Sequence, residues 1–381
     1  MSIYLDNSAT TALSPAVLEA IIPYFTQHFG NASSNHWAGR EAKKVIQSSR
    51  RQIADLLNIT PEEIIFTSGG TEADNFALKS SIQHFNIRHV LTSKIEHKAV
   101  LLPLKQLEQA GLIQVHYVQL DEQGRVSIPD LTQWLEKHPN GLVSLMHANN
   151  ELGTLLDLEE VHSLTQHYGA YFHTDTVQSI GKVPVNLHAV DFATASAHKF
   201  RGPKGVGFLF ARQGHRLPAF ISGGGQEGGQ RGGTENIPGI VGLTKALELA
   251  ITHQTQNIAH LNSLKQQFID EIQRQIPGVL FNGRCQSIEE SLPGLINVAF
   301  PILDGPCSLV EALDARGIAV SGGSACSNLA GGSHVLQEIP TSFGKENVRF
   351  SFGADNTFEE INEVLSILSE LYQTEEVSLA S

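Results

Sequence analysis

Cysteine is scarce in this chain: its 381 residues include three, Cys285, Cys307 and Cys326, and none belongs to a CxxC pair. That excludes a disulfide framework, offers no metal-ligand spacing, and makes a reducing cytoplasm the simplest compartment. Basic residues are also few, 26 Lys and Arg against 39 Asp and Glu, for a net charge of −13. Such a surplus repels a phosphate backbone, so nucleic acid is not an expected direct partner. No apolar run approaches the roughly 18 residues that span a membrane. The start, Met1-Ser2-Ile3-Tyr4-Leu5-Asp6, lacks the basic and apolar blocks of a secretory signal. Sequence repeats and low-complexity linkers are missing too. What remains is a globular chain, 41% hydrophobic and 17% charged, long enough for two units that pack closely.

Short apolar strands alternate with helices through the first two thirds. Ile64 to Thr67, His89 to Thr92, Val115 to Val118, Leu142 to Met146, Tyr171 to Asp175 and Asp191 to Ala195 read as strands. Helices are expected after Ser14-Pro15, from Gly39 to Leu57, Leu102 to Ala110, Ile128 to Lys137 and Leu158 to Tyr168. Strands apolar on both faces and separated by helices predict an α/β fold with a mainly parallel, covered sheet. A long helical run is expected from Ile237 to about Ile276. The composition then shifts, and Leu295 to Phe300, Leu309 to Ala315, Ile318 to Val320, Val348 to Ser351 and Phe358 to Leu371 predict a smaller α+β unit.

Polar groups gather at the expected strand ends, where α/β sheets place ligand sites. Lys199 follows a short apolar strand and precedes the turn Arg201-Gly202-Pro203-Lys204-Gly205. A desolvated lysine there is an amine nucleophile toward a carbonyl, whereas a solvated one is ordinary loop chemistry. Ser68-Gly69-Gly70-Thr71 lies at a strand-to-helix turn, where amides and a hydroxyl suit a phosphate. Asp175 ends a strand and either caps a helix or pairs with a cationic partner such as a pyridinium nitrogen. His97 and Asn150 lie at two further strand ends. Lysine, aspartate, phosphate cradle and a planar-ring neighbour together describe a pyridoxal-phosphate site. Cys326, in the small-residue segment Ser321 to Asn328, is either a mobile nucleophilic thiol or a bystander in a flexible loop. Arg349 stands in an apolar strand, where its fork suits a carboxylate.

In order along the chain, Tyr4 to Thr11, Thr67 to Asn75, Thr92 to Lys98, Met146 to Gly153, Asp175 to Ser179, Ser196 to Gly207, Arg231 to Asn236, Ser321 to Cys326 and Val348 to Ser351 resemble the pyridoxal-phosphate cysteine desulfurases of the NifS/IscS type, in the class V aminotransferase family. The resemblance implies a fold-type I transferase with a seven-stranded sheet in a large domain, residues 12–254. Residues 1–11 and 255–381 would form the small domain. It implies that Lys199 tethers the cofactor and shuttles the Cα proton, that Asp175 pairs with the ring nitrogen, and that Gln178 bonds the ring oxygen. His97 would stack on the ring and assist proton transfer as a catalytic residue, and Gly70, Thr71, Ser196 and His198 would hold the phosphate. Thr234 would reach the phosphate from the partner of a homodimer. Asn150 would contact cofactor or substrate, Arg349 would clamp the carboxylate of L-cysteine, and Cys326 would take the sulfur as a persulfide. The implied destination is a sulfur-acceptor protein, an iron–sulfur scaffold or a thiolation factor. A selenocysteine lyase, or another lyase or aminotransferase of the same fold, is the alternative. Intact Lys199, Asp175, Cys326 and Arg349 speak against a scaffold without activity. The small-residue cysteine loop resembles the group with the longer, flexible catalytic loop. The chain departs from the housekeeping bacterial pattern in a shorter segment from Cys326 to Arg349, which leaves the acceptor open.

Overall fold

A computed structural model describes residues 2–303, 306–322, 332–339 and 344–379. Cys326 and its neighbours lie outside the described residues. The chain begins with β1 (Ile3–Tyr4), α1 (Pro15–Ile21), α2 (Pro23–Thr26) and α3 (Trp37–Leu57). It continues through β2 (Ile64–Thr67), α4 (Gly70–His84), β3 (His89–Thr92), α5 (Lys98–Gln109) and β4 (Gln114–Tyr117). Then come α6 (Ile128–Lys137), β5 (Leu142–Ser144), α7 (Leu158–Tyr168), β6 (Tyr171–Asp175), β7 (Phe192–Ser196) and β8 (Gly207–Ala211). After α8 (Ile237–Thr252) and α9 (Gln254–Gln275) follow β9 (Leu280–Phe281), β10 (Leu295–Pro301), α10 (Leu309–Asp314), β11 (Ile318–Ala319) and β12 (Ser321–Gly322). The last elements are α11 (His334–Gln337), β13 (Lys345–Ser351) and α12 (Phe358–Leu379).

Seven strands form one sheet in the order β2-β8-β7-β6-β5-β3-β4. The four pairings from β7 to β4 are parallel, and β8 runs antiparallel to both β2 and β7. The mainly parallel α/β sheet expected from the sequence is therefore present. Its strands are buried on both faces: Phe172, Phe192, Phe208 and Phe210 are all at most 1% exposed. Truncating Phe208, which lies on β8 between two neighbours, would cost about 3–5 kcal/mol by opening a cavity. The helices have local reasons to start and stop where they do. Asp157 caps α7 by accepting the Glu160 N–H at 2.9 Å, and Gly169 ends it at φ 67°.

The register brings one row of chain ends together. Thr67 pairs with Gly207 and Gly207 with Ser196, while Thr194 pairs with Asp175. The carboxyl ends of β2, β6 and β7 thus share one edge, and β8 begins there. A side chain on Gly207 would collide with the Ala195 carbonyl, so this close approach requires glycine.

A second sheet, β12-β13-β10-β9, is antiparallel throughout, and β1 pairs in parallel with β11. Its core joins Ile3 and Leu5 to Phe268, Ile272, Phe300, Phe350 and Leu368. This explains one departure from the sequence reading. The single helix expected from Ile237 to Ile276 is broken at His253, which takes φ −100° and ψ 7°. Ile240, Leu243 and Leu247 before the break face the large core, whereas Leu264, Phe268 and Ile272 after it face the second core. Two directions of burial cannot be served by one straight axis. At the C-terminus the expected end at Leu371 is extended, since α12 runs to Leu379.

Candidate active site

The N-terminal segment crosses the edge where the strand ends meet. Thr11 donates its N–H and hydroxyl to the His198 carbonyl, at 3.1 and 2.8 Å, and its hydroxyl oxygen accepts the Arg201 N–H at 2.9 Å. Lys199 turns toward this segment and donates to the carbonyls of Ser8 at 2.5 Å and Ala9 at 3.0 Å. Burial, with Arg349 as second cause, lowers its amine from 10.5 to about 8. Gln178 donates to the same Ser8 carbonyl at 2.9 Å and accepts from Lys182 at 2.9 Å. Lys182 is itself lowered to about 7 by burial and by the charges of Lys199 and Arg349.

Asp175 ends β6, is 5% exposed, and accepts the Val177 N–H at 2.8 Å. Burial, reinforced by Asp74, raises its carboxyl from 3.8 to about 7. Asp74 is raised to about 7 by burial as well, and accepts the Thr194 hydroxyl at 2.8 Å. Beside it His173 Nε2 lies 3.4 Å from Asp74 Oδ1, and His173 Nδ1 meets Ser144 Oγ at 2.9 Å. Glu96 is a further buried acid. Its Oε1 accepts the Met146 N–H at 2.8 Å, its Oε2 has no partner, and burial pushes its carboxyl well above the usual range. Three neighbouring buried carboxyls thus resist ionisation.

His97 caps α5 by accepting the Ala99 N–H at 3.1 Å. Burial lowers its imidazole, Asp175 opposes that, and Lys199 adds to it. His198 contacts Thr10 Oγ1 at 3.1 Å and is lowered to about 4 by burial and the nearby lysines, so its ring is neutral. Ser196 packs against the Gly69–Gly70 turn, and a Cβ on Gly70 would meet Val177 Cγ2 at 2.6 Å. That turn therefore leaves a bare backbone beside Ser196 at the start of α4, a cradle for an anion. Thr71 is exposed at its rim.

Arg349 completes the cluster from the second sheet. It donates to Asp6 Oδ1 at 2.7 Å, Ser321 Oγ at 3.0 Å and the Asn150 carbonyl at 2.9 Å. Its Nε is buried without a partner. A guanidinium N–H left unpaired costs stability unless a ligand completes it.

Of the residues singled out in the sequence, Lys199, Asp175, Gln178, His97, His198, Ser196, Gly70, Asn150 and Arg349 thus converge. Thr234 does not join Lys199. It is exposed on the glycine-rich loop, in a hollow shared with Ser68 and Arg231. Arg231 pins that loop to α4 through Glu72 at 2.9 Å. Burial alone would raise Glu72, but hydrogen bonds from Arg231 and Ser68 outweigh it and hold the carboxyl low. Sequence reasoning missed Asp74, Glu96, His173 and Lys182. A signal existed for His173, which shares a strand face with Asp175 two residues on.

The donor set fits pyridoxal phosphate: an amine for the aldehyde, a buried acid for the ring nitrogen, and an open glycine turn for the phosphate. The model for the aminotransferase class-V family matches residues 3–364. The chain belongs to that family. Among curated relatives, the cysteine desulfurase IscS of Dictyoglomus turgidum is 42% identical over 97% of this chain and 94% of its own length. A solved NifS-like protein superposes with TM-score 0.89 at 35% identity, covering 98% of this chain and all of its own. A structure of SspA in complex with cysteine matches with TM-score 0.78 at 32% identity, over 93% of this chain and all of its own. Members of this family that desulfurate cysteine depend on pyridoxal phosphate, as the donor set here requires.

Proposed function

We propose that this chain is an L-cysteine desulfurase, releasing L-alanine and leaving the sulfur as a persulfide on Cys326. The observation that carries the reading is the half-buried Lys199 amine, lowered to about 8, near Asp175 and Arg349, whose guanidinium has an unpaired Nε–H. Bound pyridoxal phosphate supplies the electron sink that makes the substrate Cα–H acidic. Lys199 holds the cofactor, then moves the Cα proton. Asp175 supports a positive charge on the ring nitrogen, since that cation relieves the cost of its own burial. Gln178 would hold the ring oxygen, and His97 would lie against the ring. Gly70, Thr71, Ser196 and His198 hold the phosphate, and Asn150 lines the substrate side.

Arg349 orients L-cysteine by its carboxylate. Cys326 attacks as a thiolate: its S–S bond forms, the substrate Cβ–S bond breaks, and the carbon is protonated to the alanine methyl. The persulfide then passes to an acceptor protein for iron–sulfur cluster assembly or for tRNA or cofactor thiolation.

A homodimer fits the exposed apolar surface of α1 to α3, where Phe25, Phe29 and Trp37 are 64, 75 and 71% exposed. It also fits the outward position of Thr234, which would serve the partner's phosphate. Cys285 and Cys307, neither in a disulfide, suit a reducing cytoplasm. Among the described residues no helix is long and apolar enough to cross a membrane. The test is incubation of the cofactor-loaded chain with L-cysteine. Alanine and reducible sulfur in equal amounts support the reading, and no alanine overturns it.

A further inference from the structure

Away from the Lys199 cluster, three histidines from three elements meet. His89 opens β3, His116 lies on β4, and His138 follows the last residue of α6. In the parallel register His89 pairs with Gln114 and Leu91 with His116, so His89 and His116 share one face of the sheet. α6 ends over that face and presents His138, with Trp134 one turn back. Ring centroids lie 4.2 Å apart for His89 and His138, 5.0 Å for His116 and His138, and 5.8 Å for His89 and His116. One ring nitrogen from each histidine lies within 4.8 Å of the other two.

Two nitrogens lack any partner although they are buried, His89 Nδ1 and His116 Nε2. Unpaired buried imidazole nitrogens are costly, and a shared ligand would offset that cost. Three imidazole donors without an oxygen ligand do not fit magnesium or calcium, and imidazole suits zinc and its neighbours in the first transition row.

We propose that His89, His116 and His138 form a binding site for a divalent transition-metal ion, zinc in the first instance, with solvent as fourth ligand. All three residues are partly exposed, which leaves that fourth position open to water. Zinc–nitrogen bonds of about 2.0–2.1 Å in a tetrahedron need the donors about 3.3 Å apart, a closure within reach of side-chain rotation. The ion clamps the edge strand β4 and its neighbour β3 to the end of α6. His89 stands at the start of β3, whereas His97 follows its end, so the ion sits at the opposite end of the sheet from Lys199.

The test uses the untagged, cofactor-loaded full chain with its three cysteines changed to serine, so that no thiolate competes. Dialysis against micromolar zinc followed by elemental analysis should find one zinc per chain. His116→Gln and His138→Gln should each weaken zinc binding by about tenfold or more, and the double variant should abolish it. Retention of the same zinc by the double variant, or none by the parent, overturns the site. Binding of pyridoxal phosphate by each variant, read from visible absorbance, checks that it has folded. X-ray absorption of the zinc-loaded parent decides independently of any histidine variant. Three imidazole ligands and one oxygen are expected, and a shell without imidazole overturns the proposal.

Discussion

Lys199 Nζ and Gln178 Nε2 donate to one and the same acceptor, the Ser8 carbonyl, at 2.5 and 2.9 Å. A backbone oxygen from the N-terminal segment thus aligns the amine with a side chain three residues beyond Asp175. Because the acceptor is main chain, the arrangement depends on how residues 6–11 lie across the lysine turn.

On the proposed role of Lys199 as the cofactor's amine, its ionisation would set the pH dependence of cofactor capture. Its amine is held at about 8, chiefly by burial and then by Arg349. Only the neutral amine attacks an aldehyde, so the rate of reconstitution of the apo chain should rise with pH through a midpoint at about 8. Arg349 disfavours the ammonium, so Arg349→Gln should move that midpoint up. Asp175 favours it, so Asp175→Asn should move it down. Stopped-flow absorbance reads both shifts, and an unmoved midpoint in both variants would remove Lys199 from this role.

Arg349 carries three hydrogen bonds within the chain, and its buried Nε–H is unpaired. Losing a charge-assisted bond to the substrate carboxylate costs about 1.5–3 kcal/mol. Arg349→Lys should therefore lower kcat/KM for L-cysteine by about ten- to a hundredfold, mostly through KM. Steady-state alanine formation measures it, and an unchanged KM argues against the clamp.

Asp74 gives a prediction in stability. Its folded pKa, about 7, is raised above the ordinary 3.8 by burial. Its contribution to stability is fully present below the unfolded value and is lost as pH rises toward 7. Asp74→Asn keeps the acceptor for Thr194 but cannot ionise. In the apo chain the variant should match the parent near the unfolded pKa and become the more stable as pH approaches 7. The buried neutral His147 and His173, both lowered to about 4, act in the opposite sense; His147 cancels in the difference, and a parallel Asp74→Asn series in a His173→Gln background removes the contribution of His173, which touches Asp74 at 3.4 Å. Denaturant unfolding across that range checks the slope, and parallel curves contradict the assignment.

Glu96 separates a neutral acid from an ionised one. Glu96→Gln preserves an acceptor for the Met146 N–H and should change stability by less than about 1 kcal/mol. Glu96→Ala leaves that buried N–H unmet and should cost about 1–3 kcal/mol. If the two variants unfold alike, the carboxyl is not acting through this bond.

The sheet was legible because its strands are apolar on both faces, and that pattern has few other solutions. Lys199, Asp175 and Ser196 could be placed at strand ends for the same reason. The setting of those groups was not legible. Asp74 reaches Asp175 only through the packing of α4 on β6 and β7, and Lys182 acts through Gln178. Nothing local in Ser8 announces that its carbonyl will hold an amine 191 residues away. The break at His253 was hidden because both halves are good helix formers whose buried faces diverge only in the folded chain. Likewise, the docking of His334 on the Glu96 carbonyl at 2.9 Å and of Glu338 on Lys94 at 3.0 Å joins distant segments. These contacts hold α11 and Glu338 beside Glu96 and Lys94.

The central claim is that Lys199 prepares the substrate and Cys326 takes its sulfur. The most direct measurement is peptide mass spectrometry of the chain after a single turnover with L-cysteine. The peptide holding Cys326 should gain one sulfur atom per alanine formed, lose it to a reductant, and gain none in Lys199→Ala. Alanine produced at the parent rate by Cys326→Ser, with no sulfur on any cysteine, would contradict the account.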